Sequence, residues 1–221
     1  MTTGDRHGRK PLTRESILDA AIAIADAEGI DAVSMRRVGA NLDVQAMSLY
    51  NHVDSKQDLL NGMAGRLLAG MAIPAAGATS WIDAIRAVSH EYRKLAHDHP
   101  SIFPVIVSRP LGSQESLPPL EAILSILTEE GFDADTALIC FGVLASYVAG
   151  FALGEIGSGN AGRGTVGTDH LPPLAMVGED YPVTRRIMQE ADPDDDRAFE
   201  VGLELLLDGF ERLRRRRQPF T

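Results

Sequence analysis

Two short helical segments separated by only three residues constrain this chain more than any other stretch. Ser34 is a good N-cap, and MRRVGAN (35–41) behind it reads as a short helix. Leu42-Asp43-Val44 leaves room for a tight turn, after which QAMSLYNHV (45–53) reads as a second short helix. Residues 14–28, RESILDAAIAIADAE, precede them as a helix with Ile17, Ala21, Ile24 and Ala25 on one stripe, widened by Leu18 and Ile22. That stripe, with Val38, Leu42, Val44, Leu49 and Val53, supplies a small core. Two short helices crossing at a tight turn hold the second one proud of the body, where it fits a major groove.

The rest of the chain is helical by the same signals, and no strand pattern survives. Thr13 caps the first helix, with Ser16 too short to complete a capping box, and Gly29 is its stop. Asp54 and Ser55 end the helix at 45–53, and Ser55 with Asp58 makes a capping box for the next, over 56–71. Ser80 and Asp83 cap a helix running to about Ala96. A short helix is expected between Pro100 and Val107, although FPVIV (103–107) is also compatible with a few extended residues. Pro118 and Pro119 fit the first turn of a helix ending at Gly131. Residues 134–156 form the longest apolar helix, 182–190 a short one, and 194–217 the last. Glycines and prolines from 157 to 173 predict an irregular, mobile loop, extending to about residue 180.

Charge does not favour a nucleic-acid partner at first sight, because the formal net charge is −10. It is uneven, however. The first 60 residues carry 7 Lys and Arg against 9 Asp and Glu, so a local basic face is open to Arg6, Arg9, Lys10, Arg14, Arg36, Arg37 and Lys56. The lone Cys140 excludes an intrachain disulfide and reads as a small buried filler. No signal-peptide core opens the chain, and the longest apolar helix is interrupted by Ser146, Gly150 and Glu155, so a cytoplasmic protein is expected. Enzymatic signals are missing: there is no serine elbow, no His near Cys140 in sequence, and GSGNAGRG (157–164) lacks both a preceding strand and a Lys-Ser/Thr ending. His97 and His99, with Glu91 or Glu155, invite a metal reading, but the spacing is weak and turn histidines are usually solvated; no metal and no cofactor are expected.

The stretch SMRRVGANLDVQAMSLYNHVDSKQDLL resembles the DNA-binding signature of the tetracycline-repressor (TetR) family. The marks are S-M-R at 34–36, L-x-V at 42–44, S-L-Y-x-H-V at 48–53 and K-x-x-L-L at 56–60, together spanning roughly residues 14–60. FEVGLELLLDGFERL (199–213) is similar to the last helix of the subgroup that names the family. The resemblance implies an all-α chain with an N-terminal three-helix DNA-binding bundle and a C-terminal helical domain for ligand binding and dimerisation. The expected boundaries are an arm at 1–12, the helix-turn-helix domain at 13–60 and the effector and dimerisation domain at 61–221.

It also implies roles. Arg36 reaches a base and Met35 lies beside the phosphates; Ala46 and Met47 occupy base-reading positions; Tyr50, His52 and Lys56 contact the backbone. Gln45, Ser48 and Asn51 complete the outward set. A ligand-responsive repressor follows, binding palindromic operator DNA as a homodimer and released by a small-molecule effector, with no membrane partner. Candidate ligand contacts are Trp81, Ile85, His90, Tyr92, Phe103, Val107, Gln114, Phe141, Tyr147 and Phe151. Candidate dimer contacts are Gly142, Ala145 and Ala149 on one helix and Phe199, Leu203, Leu206 and Phe210 on another. The alternative is a helical interaction or ligand-sensing protein without sequence-specific DNA binding.

Overall fold

The structure, a computed structural model, describes residues 11–109, 114–157, 174–191 and 194–217. The expected arm falls almost wholly outside the described residues, as do Arg6, Arg9 and Lys10 and most of the expected mobile loop. Every regular element among the described residues is helical: α1 (Arg14–Glu28), α2 (Met35–Asn41), α3 (Ala46–Leu49), α4 (Lys56–Ala69), α5 (Trp81–Asp98), α6 (Phe103–Ser108), α7 (Leu117–Glu129), α8 (Ala134–Gly157), α9 (Pro182–Glu190) and α10 (Asp195–Arg217). The chain divides into two compact units, Met1–Gly70 with Ser101–Leu117, and Met71–Pro100 with Pro118–Thr221. The division does not follow the expected boundary after residue 60. All of α4 stays with the first unit, and α6 returns to it.

In the first unit, local signals set the helix ends. Thr13 Oγ1 accepts from the Ser16 N–H, and Ser16 Oγ in turn accepts from the Thr13 N–H at 3.0 Å. Ser16 therefore completes the capping box after all, because its hydroxyl needs only to span one turn back. Ser55 Oγ accepts from the Asp58 N–H, as expected. The Asp58 carboxylate, however, accepts from the Asp54 N–H rather than closing on Ser55. The core of this unit is formed by Ile17, Leu18, Ile24, Val38, Leu49, Val53, Leu59 and Met63, joined by Ile102, Phe103 and Ile106. Each such side chain stabilises the unit by about 1.5–3 kcal/mol on burial. Phe103 is therefore a core residue of the first unit. Val107 and Gln114 lie in the same unit and are exposed. FPVIV is helical, with Pro104 in the first turn of α6, where its missing N–H costs nothing.

In the second unit, α5, α7, α8 and α10 share one core: Trp81, Ile85, Val88, Ile126, Leu127, Cys140, Leu144, Val148, Phe151, Phe199, Leu203, Leu207 and Phe210. Asp133 caps α8 through the Thr136 N–H at 3.0 Å. By length and composition α8 is apolar enough to cross a membrane. Its apolar character has a simpler use, since Cys140, Leu144, Val148 and Phe151 enter the core while Leu138, Ile139 and Val143 stay exposed. Phe199, Leu203, Phe210 and Ala149 are buried within this chain and Leu206 is partly so. The broad apolar face of α10 is two faces, and the one left exposed carries Val201 and Leu205.

Candidate nucleic-acid interface

The turn between α2 and α3 is set by close backbone approach. Ser34 Oγ accepts from the Arg37 N–H and starts α2. The Val44 N–H donates to the Gly39 carbonyl at 2.9 Å and closes the turn. Asp43 takes the left-handed conformation, with φ 54°, at the apex. α3 is shorter than the sequence pattern suggests: it ends at Leu49, and the His52 and Val53 N–H groups fold back onto the Leu49 carbonyl in a turn. Leu49 and Val53 anchor this segment in the core.

The anchoring leaves Arg36, Gln45, Met47, Tyr50, Asn51 and Lys56 exposed, with Ala46, Ser48 and His52 half-buried. Met47 is 72% exposed, a large apolar side chain left uncovered by the described residues. Chemically the set is suited to a duplex: a guanidinium for a base edge or phosphate, an apolar group for a thymine methyl, and phenol, imidazole and ammonium donors for phosphates. Met35 does not belong with them. Its side chain is 8% exposed and packs in the core, so only its backbone N–H at the start of α2 is left for a phosphate. Arg37 is likewise engaged, by Glu28.

Behind the outward set lies a polar hub that the sequence pattern did not reveal. Arg14 donates from Nη2 to Asp58 Oδ1 at 2.8 Å, and from Nη1 to Asp58 Oδ2 at 2.9 Å and the His52 carbonyl at 3.0 Å. Its Nε donates to Glu115 Oε1 at 3.0 Å. The hydrogen bonds from Arg14 hold the Asp58 carboxyl below the usual carboxylate range, against a smaller opposing effect of burial. A lowered folded pKa contributes stability that is complete above the unfolded value of about 3.9 and is lost as pH falls through the folded one. Asp58→Asn is therefore expected to cost no more than about 1 kcal/mol near neutral pH, and the cost should vanish as pH falls below the lowered Asp58 pKa. Urea midpoints of both proteins across that range measure it; a difference independent of pH would contradict the assignment.

The second unit carries its own ionic row. Arg86, His90, Arg93 and His97 follow one stripe of α5. Glu200 takes Arg86 and His90, both at 2.8 Å, and Glu155 takes Arg93 and His97. Glu155 is 7% exposed and its side chain lies against the Arg93 guanidinium, which also sits 4.7 Å over the Phe199 ring. His97 does meet Glu155, but the arginine already supplies the positive charge there. No group of three metal-binding side chains occurs among the described residues. Of the ligand candidates, Trp81, Ile85 and Phe151 are core and His90 is exposed and paired with Glu200. Tyr92, Phe141 and Tyr147 are half-buried. Burial pushes the Tyr92 phenol up to about 12. The basic side chains recur along α5 at spacings of four, three and four residues, while their carboxylate partners lie 58 to 114 residues away; of these pairs only His97 with Glu155 is suggested by the sequence.

Known proteins resemble this chain along most of its length. The family model for bacterial regulatory proteins of the tetR family matches residues 17–63, and that for the tetracyclin repressor-like C-terminal domain matches residues 73–214. The HTH-type transcriptional repressor DrrR1 of Streptomyces coeruleorubidus is 33% identical over 95% of this chain and 82% of its own length. The class D tetracycline repressor protein of Escherichia coli is 30% identical over 90% of this chain and 89% of its own. The crystal structure of the Streptomyces coelicolor TetR family protein ActR in complex with actinorhodin superposes with a TM-score of 0.77 at 28% identity, covering 91% of this chain and 98% of ActR. With a helix-turn-helix presenting its outward side chains and a repressor-like C-terminal domain matched over most of the remainder, the chain belongs to the TetR family of bacterial transcriptional regulators.

Proposed function

We propose that this regulator is a homodimeric repressor in the bacterial cytoplasm that binds a palindromic operator and leaves it when a small molecule binds its second unit. The observation that carries the DNA reading is the exposed group Arg36, Gln45, Met47, Tyr50, Asn51 and Lys56 on a segment closed by backbone hydrogen bonds. In this reading Arg36, Gln45, Ala46 and Met47 carry the sequence preference, while Tyr50, His52 and Lys56 hold phosphates. Ser48 and Asn51 border them.

The dimer rests on uncovered apolar surface. Leu138, Ile139 and Val143 lie exposed on α8 beside Gly142 and Ser146, and Val201 and Leu205 lie exposed on α10. Small residues let a second helix approach closely, and a twofold pair places its recognition helices about 34 Å apart, one turn of duplex. Gly142 and Ala145 remain dimer contacts in this reading, and Val201 and Leu205 replace Phe199, Leu203, Leu206 and Phe210. The effector reading is supported by the relatives, one named for tetracycline and another crystallised with actinorhodin. Release requires that the effector prefer the conformation that does not bind DNA.

A gel shift against the DNA upstream of the protein's own gene tests the reading. Arg36→Ala and Tyr50→Ala should each weaken binding by about tenfold or more, roughly one good base or phosphate contact, with unchanged thermal melting. Failure of the native protein to bind any genomic fragment at low salt would remove the DNA function altogether.

A further inference from the structure

We infer that Arg14, locked by Glu115, is a positioning residue for sequence reading: it fixes the backbone at 52–54, which sets how the α3 segment is presented to DNA. The inference rests on the DNA-binding reading above. The His52 carbonyl lies where the turn after α3 runs out of backbone donors, and Arg14 Nη1 supplies one at 3.0 Å. Two residues on, the Asp54 N–H is held at 3.0 Å by Asp58 Oδ2, the same oxygen that accepts from Arg14 Nη1 at 2.9 Å. One arginine–carboxylate pair thus grips the chain on both sides of Val53, which is 1% exposed. His52 belongs to the outward set, and Lys56 follows two residues after Asp54.

Glu115 gives the grip its direction. A guanidinium held end-on by one carboxylate can still tilt about that axis. A second carboxylate on Nε, from the turn preceding α7, defines its plane. The packing beneath is tight, because a Cβ at Gly62 would lie 2.7 Å from Leu18 Cδ2 and 3.1 Å from Arg14 Nη2. Arg14, Asp58 and Glu115 have side-chain exposures of 29%, 29% and 30%, too wet for the pairs to carry much stability. Their effect is on where the recognition segment points.

The test uses full-length protein and a duplex that the native protein has selected from a random-sequence pool, with a scrambled duplex of equal length as reference. The readout is the ratio of the two affinities. Arg14→Lys keeps the charge but loses the fork, and Glu115→Gln loses the charged acceptor on Nε. Both should lower the ratio by about tenfold, mostly by weakening the selected duplex. Arg66→Gln breaks a pair with Asp19 that also joins α1 to α4 but touches nothing at 52–54, and should change the ratio less than about twofold. A loss of folded protein, or a plain gain of positive charge, moves both affinities together and leaves the ratio alone. That outcome in Arg14→Lys and Glu115→Gln would overturn the positioning role while leaving DNA binding intact. If the native protein selects no sequence, the DNA reading itself falls, and this inference with it.

Discussion

Replacing Gly202 by alanine is expected to destabilise the second unit by about 2 kcal/mol, although helix propensity alone predicts a gain of about 1 kcal/mol. Gly202 lies within α10, facing α8. A Cβ there would stand 2.2 Å from Tyr147 Oη, 2.6 Å from its Cζ and 2.8 Å from its Cε2. The tyrosine has little freedom to yield. Its ring stacks on Phe199 with centroids 5.8 Å apart and an interplanar angle of 20°, and its hydroxyl donates to the Phe199 carbonyl at 2.8 Å. Moving the ring away loses that hydrogen bond, about 1 kcal/mol, together with the stacking. The measurement is the denaturant midpoint at fixed protein concentration. The decisive control is the same substitution in a Tyr147→Ala background, where the notch is empty and Gly202→Ala should become stabilising by up to about 1 kcal/mol. The same sign in both backgrounds would show that the helices do not meet at this residue.

The second large effect is expected at Gly39, and it should reach DNA binding as well as stability. A Cβ at Gly39 would lie 2.9 Å from the Val44 carbonyl oxygen, 3.2 Å from the Ala46 nitrogen and 3.4 Å from the Ala46 Cα, all backbone atoms. A side chain can rotate away, but backbone cannot, so the turn itself must move. That stretches the 2.9 Å bond from the Val44 N–H to the Gly39 carbonyl and shifts the start of α3. Gly39→Ala should cost about 1–3 kcal/mol, and Gly39→Val more. Operator affinity should fall by about tenfold or more for Gly39→Ala even at temperatures where the variant is fully folded. An alanine variant that melted higher and bound as well as the native protein would mean that the α2–α3 crossing is looser than these distances require.

Both glycines stand where elements meet, and they separate what was legible in the residues from what was not. Ser34, Ser55 and Ser80 were readable as helix starts because a cap acts over three residues. The helix-turn-helix was readable for the same reason, and its family signature made the outward residues nameable. Ser16 departs from the expectation by a single bond, since the reach of a serine hydroxyl depends on the backbone turn it closes. α3 is shorter than its pattern, because the apolar spacing of Leu49 and Val53 is the same whether the residues between them are helical or folded in a turn.

α10 is apolar on nearly two faces, and periodicity cannot tell which of them the subunit buries. The choice fell on Phe199, Leu203, Leu207 and Phe210, which left Val201 and Leu205 outside. Phe103, Val107 and Gln114 follow α5 in sequence, yet the chain returns at Ser101 to the first unit. Arg14 illustrates the limit most sharply, since its partners lie 44 and 101 residues away.

The sequence by itself therefore determined the all-helical class, most helix boundaries, the helix-turn-helix and the family, because caps, turn residues and a contiguous motif act over a few residues. Only the tertiary structure decided which apolar face is core, where the units divide, that Met35 is buried rather than offered to DNA, and that Arg14, Asp58 and Glu115 share one hydrogen-bonded hub. Those outcomes depend on close packing and on ion pairs between residues far apart in the chain, and no local pattern encodes such contacts.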